Sequence, residues 1–320
     1  VTAELHEDPE LAALVPRLLD DDATVRRIAV LDLADLDCDA HVPLLIAALG
    51  DSAAPVRAEA ARALEAFETP LAVAGLARLL ADADDEVRSA AAQSLSELKQ
   101  PASAAHLIPH IGSGDSFVRA AALRGVRELR VPASFAPALD ALQDHEALVR
   151  REAIAVLGYL KQQASLPALT HIVASDSSLE VRRAAAGALG FADGEAVLPA
   201  LLTALDDEAW QVREEAATTL GKLRLQGAAA PLIAALADPY WQVRLRAARS
   251  LGRLRSQDAL SDLVFALGHS ISNLRKEAAL ALGEIGSPLA LDALQQAAGD
   301  PDPEVRKSVR LAIQQIQVSA

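Results

Sequence analysis

His106 and His110 stand four residues apart, a spacing that places two imidazole ligands on one face of a helix. Pro109 lies between them and no third ligand is evident, so the pair reads as a surface feature. Cys38 is the one cysteine, which excludes an intrachain disulfide and a four-thiolate metal site. It is flanked by Asp37 and Asp39, whose carboxylates work against a reactive thiolate. No Ser-His-Asp or Cys-His constellation stands out, and the single glycines form no phosphate-binding loop. The acidic runs Asp20-Asp-Asp22 and Asp82-Ala-Asp-Asp-Glu86 read as solvated turns. The sequence therefore predicts no catalytic residue, no metal and no cofactor.

Recognition chemistry is better represented. Both tryptophans, Trp210 and Trp241, and both tyrosines, Tyr159 and Tyr240, fall between positions 159 and 241, close to several arginines. Tryptophan, tyrosine and arginine are the side chains enriched where proteins bind one another. The net charge of −14 works against a general nucleic-acid or anionic-membrane binder. No apolar run reaches the length of a membrane span. Val1–Pro9 has no signal-peptide pattern, and the absence of Met, even at position 1, reads as a trimmed or processed chain.

Such side chains must be positioned by elements, and here the elements repeat. Arg26, Arg57, Arg88, Arg119, Arg150, Arg182, Arg213, Arg244, Arg275 and Arg306 follow one another at 31 residues, with a single step of 32. The residue before each is Val, or Leu in the case of Leu274. Alanine tends to follow three positions later and an aliphatic residue seven later, as in Leu33, Leu64, Leu95 and Val126. These offsets share one helical face and predict a helix B in every repeat. A shorter helix A precedes it, as in Val42–Leu49 and Leu198–Leu205, with Pro tolerated in its first turn. Six residues before the arginine lies Asp20, Asp51, Asp82, Asp144, Asp176, Asp207, Asp238 or Asp300, with Ser113 and His269 in the other two slots. A carboxylate there is expected to cap helix B, and the arginines to bond the Asp-bearing turns of neighbouring repeats. Hydrophobic residues make up 52% of the chain and aromatics 3%, as suits many similar helix interfaces lined by Ala and Leu.

The segments Asp300-Pro-Asp-Pro-Glu-Val-Arg306 and Asn273-Leu-Arg-Lys-Glu-Ala-Ala-Leu-Ala-Leu-Gly-Glu-Ile285 resemble HEAT repeats, in particular the phycobilisome-lyase HEAT-like subclass. The resemblance implies an all-α fold, an α-α superhelix that is a right-handed solenoid of ten helix pairs. Residues 1–320 then form one solenoid, with divergent repeats one to four in 1–142 and regular repeats five to ten in 143–320. Gly158, Gly190, Gly221, Gly252 and Gly283 recur eight residues after the arginine in repeats five to nine. Members of the family include bilin lyases, phycobilisome-degradation factors, adaptors and a metal-dependent hydroxylase. His6-Glu7 and His145-Glu146 are similar to the His-Glu pairs of that enzyme, deoxyhypusine hydroxylase. It carries them just after the Val-Arg position, where this chain has Arg151-Glu152, Glu214-Glu215 and Lys276-Glu277, so no di-iron site is expected.

The same resemblance implies that helix B lines the concave groove, at offsets of one, two, five and nine from the arginine. That map gathers Tyr159, Arg183, Phe191, Lys222, Arg246, Arg249 and Arg253 in repeats five to eight, with Tyr159 beside Phe191 and the arginines of repeat eight converging. Trp210 and Trp241 take one slot in successive turns, about 10 Å apart, with Tyr240 adjacent. The expected function is a non-catalytic scaffold or adaptor that binds another protein or peptide. The alternatives are a bilin-lyase-like or pigment-handling chaperone, and nucleic-acid binding through Arg246, Arg249 and Arg253. The expected form is a cytoplasmic monomer that does not engage a membrane.

Overall fold

The computed structural model describes residues 9–36 and 41–319; Cys38, with both its neighbours, and His6-Glu7 lie outside them. The described residues hold twenty α-helices and no strand. They fall into two compact units, 1–160 and 161–320. The first contains repeats one to five as the pairs α1 (Pro9–Leu18) and α2 (Ala23–Ala34), α3 (Val42–Ala48) and α4 (Ala54–Ala63), α5 (Pro70–Leu79) and α6 (Asp85–Ser96), α7 (Ala104–Leu107) and α8 (Ser116–Arg127), α9 (Phe135–Asp140) and α10 (Ala147–Leu160). The second contains repeats six to ten as α11 (Leu166–Ser175) and α12 (Leu179–Ala188), α13 (Leu198–Leu205) and α14 (Trp210–Leu223), α15 (Ala229–Ala235) and α16 (Trp241–Leu254), α17 (Leu260–Ala266) and α18 (Ser272–Ile285), α19 (Leu291–Ala297) and α20 (Pro303–Ser319).

The local chemistry accounts for the element ends. Pro lies in the first turn of α3, α5, α11 and α13, where its missing N–H has no helical partner to lose. Asp22, Asp84 and Asp115 cap α2, α6 and α8 by accepting first-turn N–H groups. At the other end, α14, α16 and α18 stop on a left-handed residue, Arg224, Arg255 and Gly286. Glycine enters that conformation without a Cβ penalty; the two arginines accept the strain and place a cation at the negative end of a helix.

In both units the expected stripe is the core. Leu33, Leu95, Val126 and Leu157 are fully buried, as are Leu189, Leu220, Leu251 and Leu282. Burying such a side chain contributes roughly 1.5–3 kcal/mol, and no single repeat can do it without a neighbour. Small residues set the spacing in the second unit. A Cβ on Gly252 would lie 2.8 Å from the Cα of Ala281, and one on Gly283 2.8 Å from the Cα of Ala312.

The arginines form a ladder along the turns. Arg57 donates Nη1 to the carbonyls of Asp51 and Ser52 in its own turn, and Nε and Nη2 to both carboxylate oxygens of Asp82 in the next repeat, at 2.8 and 2.7 Å. The same bidentate rung joins Arg26 to Asp51, Arg119 to Asp144, Arg182 to Asp207, Arg213 to Asp238 and Arg275 to Asp300. The expected capping by these aspartates is corrected. Asp51 accepts from the N–H of Ala53, the residue before α4, and Asp238 from that of Tyr240, the residue before α16. Each shapes the turn two residues ahead of the helix and does not reach the helical N–H groups. Where Ser113 replaces Asp, the rung shifts: Arg88 bonds Asp115 at 2.9 Å and lies 4.5 Å from the ring centre of Phe117.

The arginine hydrogen bonds hold Asp51, Asp82, Asp144 and Asp300 below the usual carboxylate range. In Asp207 and Asp238 burial acts first and upward, and the arginine and backbone donors overcome it. A carboxylate depressed by folding stabilises the fold above its unfolded pKa, about 3.9, and that contribution disappears as pH falls through the folded value. Urea midpoints are therefore expected to drop between pH 7 and pH 3. Asp82→Ala, which empties one rung, should cost about 1.5–3 kcal/mol at pH 7 and show a smaller pH-dependent fall. Gly252→Val should cost about 1–3 kcal/mol by the same measurement, because backbone stands where its side chain must go.

Candidate protein-binding surface

The aromatic residues of repeats seven and eight gather at the turns. Trp210 and Trp241 each open a helix B, α14 and α16, and Tyr240 precedes α16. Trp210 does not face Trp241 as its partner: it stacks on Tyr240, with ring centres 5.6 Å apart and planes 16° from parallel. Tyr240 in turn lies 5.7 Å from the guanidinium of Arg213, itself a ladder residue. Trp210 is half-buried by this packing, while Tyr240 and Trp241 stay 46% and 38% exposed. The position in the next turn equivalent to Tyr240 is Ile271, so Trp241 is offered no second aromatic ring.

The helix B face is a different place. Lys222 lies twelve residues beyond Trp210 on α14, and Arg253 twelve beyond Trp241 on α16. At 1.5 Å per residue that is roughly 18 Å along each helix. The ten expected residues therefore divide between a turn edge, with Trp210, Tyr240 and Trp241, and a helix face.

On that face most of the expected cations are already paired. The arginines of repeat eight do not converge. Arg246 donates Nε back to Glu214 of repeat seven at 3.0 Å, and Arg249 is held forward by both carboxylate oxygens of Glu277 in repeat nine. Arg183 stands 4.0 Å from Glu215 of the following repeat. Burial pushes the Glu215 carboxyl above the ordinary range, with Arg183 opposing and Glu214 adding to the rise. The first unit repeats the device: Arg27 pairs with Glu59, and Arg124 and Arg151 both reach Glu152. Glu152 and Glu277 are 4% exposed, so the position two after the ladder arginine is covered in repeats five and nine and does not line an open groove. A charge period of 28 or 32 residues, arginine to glutamate, was the sequence signal for these pairs.

The remaining residues are placed as follows. Tyr159, in the first unit, packs between Arg127 and Arg130, whose guanidinium carbons lie 5.6 and 5.5 Å from its ring centre. Phe191, half-buried in the second unit, ends the short turn after α12. Lys222 and Arg253 are exposed and make no ion pair among the described residues. Grooves of about 360 to 550 Å³ recur between successive A helices, each walled by a ladder aspartate. Their recurrence marks them as a product of the stacking. Among the described residues no group of three or more His, Cys, Asp and Glu could hold a metal ion, and no helix is long and apolar enough to cross a membrane.

The family model described as HEAT repeats matches residues 11–96, 70–127, 104–190, 173–239 and 229–314. No curated protein matches the chain. Among solved structures, Kap95p in its complex with RanGDP superposes with a TM-score of 0.69 at 13% identity, over 99% of this chain and 52% of Kap95p. This chain thus spans about half of that protein. The Escherichia coli protein YibA matches with a TM-score of 0.51 at 20% identity, over 93% of this chain and 98% of YibA. The complex of CpcE and CpcF of phycocyanin lyase from Nostoc sp. PCC7120 matches with a TM-score of 0.46 at 23% identity, over 67% and 94%. The likeness to Kap95p and YibA, at these identities, shows the fold alone.

The pairing divides the arginines of repeat eight into structural and free. Arg249→Ala strands the buried Glu277 carboxylate and should lower stability by about 1–3 kcal/mol in urea unfolding. Arg253→Ala should change it by less than about 0.5 kcal/mol. Equal effects would show that the Glu277 pair has no special weight.

Proposed function

The chain belongs to the HEAT-repeat family, and we propose that it is a non-catalytic scaffold whose second unit binds another protein or peptide through repeats seven and eight. The observation that carries this reading is the exposed Tyr240–Trp241 pair. In a chain with 3% aromatic residues, two large rings stand open to solvent at one turn. Aromatic anchors of this kind dominate binding energy where they are desolvated by a partner. Lys222 and Arg253, free of ion pairs among the described residues, add a charged margin at the far end of the same two helices. Kap95p, with which the chain shares its fold, binds RanGDP, and that supports a protein as the partner.

Both rival readings, a pigment held by arginines and a nucleic acid held by Arg246, Arg249 and Arg253, draw on Arg246 and Arg249, which Glu214 and Glu277 already engage, and leave only Arg253 of the three free of an ion pair among the described residues. This favours the protein-binding reading. The proposed form is a monomer in the cytoplasm, in line with a single cysteine.

The test is affinity capture from native lysate with variants that leave the ladder and the helix-face ion pairs intact. Trp241→Ala combined with Lys222→Glu and Arg253→Glu should lose the captured partner by at least about tenfold, with an unchanged urea midpoint. A partner retained at full yield by that variant would place the binding surface elsewhere.

A further inference from the structure

The ladder has one rung that nothing repairs. Arg244 bonds its own turn like the others, with Nη1 donating to the carbonyls of Asp238 and Pro239. The residue that should close the rung from repeat nine is His269. Its Nδ1 accepts from the N–H of Ile271, the task an aspartate oxygen performs in the other turns. It provides Arg244 with no carboxylate. The Nε of Arg244 is buried and has no hydrogen-bond partner, whereas in the flanking rungs Nε of Arg213 and Arg275 each meets a carboxylate oxygen at 2.7 Å. The first turn of α16 holds a second buried polar atom without a partner, Gln242 Oε1. A buried donor left unsatisfied has lost its water without gaining a partner, which destabilises the fold.

We infer that this open rung is a docking point for a carboxylate carried by a partner polypeptide. The intact rungs show what the fork accepts: two oxygens of one carboxylate, on Nε and Nη2, with that carboxylate itself about nine-tenths buried. A bidentate charge-assisted pair of this kind is among the stronger hydrogen-bonded contacts. The aspartate or glutamate of an acidic segment enters as the His269 imidazole gives way, past exposed Gly268 and Ser270. Trp241 and Tyr240 stand on the same turn and supply apolar surface for the residues beside that carboxylate. The segment is peptide in nature because a peptide brings a carboxylate, apolar side chains and backbone N–H donors together. The inference deepens the protein-binding reading and rests on it.

The two tryptophans make the site its own reporter. The probe is an N-acetylated, C-terminally amidated, tryptophan-free hexapeptide of alternating glutamate and leucine, with its glutamine counterpart as a control without any carboxylate. The glutamate peptide should change the intrinsic fluorescence saturably, and the glutamine peptide should bind at least about tenfold more weakly. His269→Asp fills the fork from within the chain. It should raise the urea midpoint and lose the peptide by about tenfold or more. Ser270→Asp adds the same charge one residue away, leaves the fork open, and should keep the affinity within about threefold. No saturable signal, equal binding of both peptides, or equal loss in His269→Asp and Ser270→Asp would each overturn the inference. If it fails while the Trp241, Lys222 and Arg253 variant still loses its captured partner, the protein-binding reading stands without the carboxylate.

Discussion

A guanidinium carries five N–H donors in one plane, and along most turns of this chain that plane is filled. One edge serves the carbonyls of its own turn and the other grips the carboxylate of the next. That carboxylate also fixes the backbone N–H two residues ahead. Three things are tied by one side chain: the shape of its own turn, the shape of the next, and the distance between them. The interfaces of Ala, Leu and Gly gain their close fit because the turns hold the helices in register.

A chain that uses its arginines in this way has few left for anything else. The second set of inter-repeat pairs, from Arg27 to Glu59 through Arg249 to Glu277, engages cations on the helix B face as well. Among the groups outside these pairs are the exposed rings of Tyr240 and Trp241, Lys222 and Arg253 on the face, and the buried Nε of Arg244, which no aspartate meets. These places are where the repeat is imperfect, and the proposed recognition draws on them.

The periodic features were legible in the sequence. The ten arginines, the aspartates 25 residues on and the stripe of Leu33, Leu64 and Leu95 follow from spacing alone, because each position repeats its environment. Direction was not legible. Spacing placed Trp210 and Trp241 in one row, but stacking depends on the residue that the next turn offers, and that residue is Tyr240. Spacing also gathered Arg246 and Arg249, which lean opposite ways because their carboxylates lie in different repeats. The role of Asp51 and its equivalents shifted from cap to turn because two residues, Ser52 and the extended Ala53 in that case, separate them from the helix. His269 was visible as an exception, yet its consequence lies on Arg244, 25 residues earlier.

The dependence of the stack on the ladder is tested most directly by native-state hydrogen exchange across the turns of the second unit. The amides of Ala209, Tyr240, Ile271 and Asp302 occupy one position in four successive turns; three are held by a ladder aspartate and Ile271 by His269. Ile271 and the first turn of α18 should exchange faster than their three counterparts, and should slow to match them in His269→Asp. Equal protection at all four turns in the parent chain would contradict the account, since the turns would then be held without the rung.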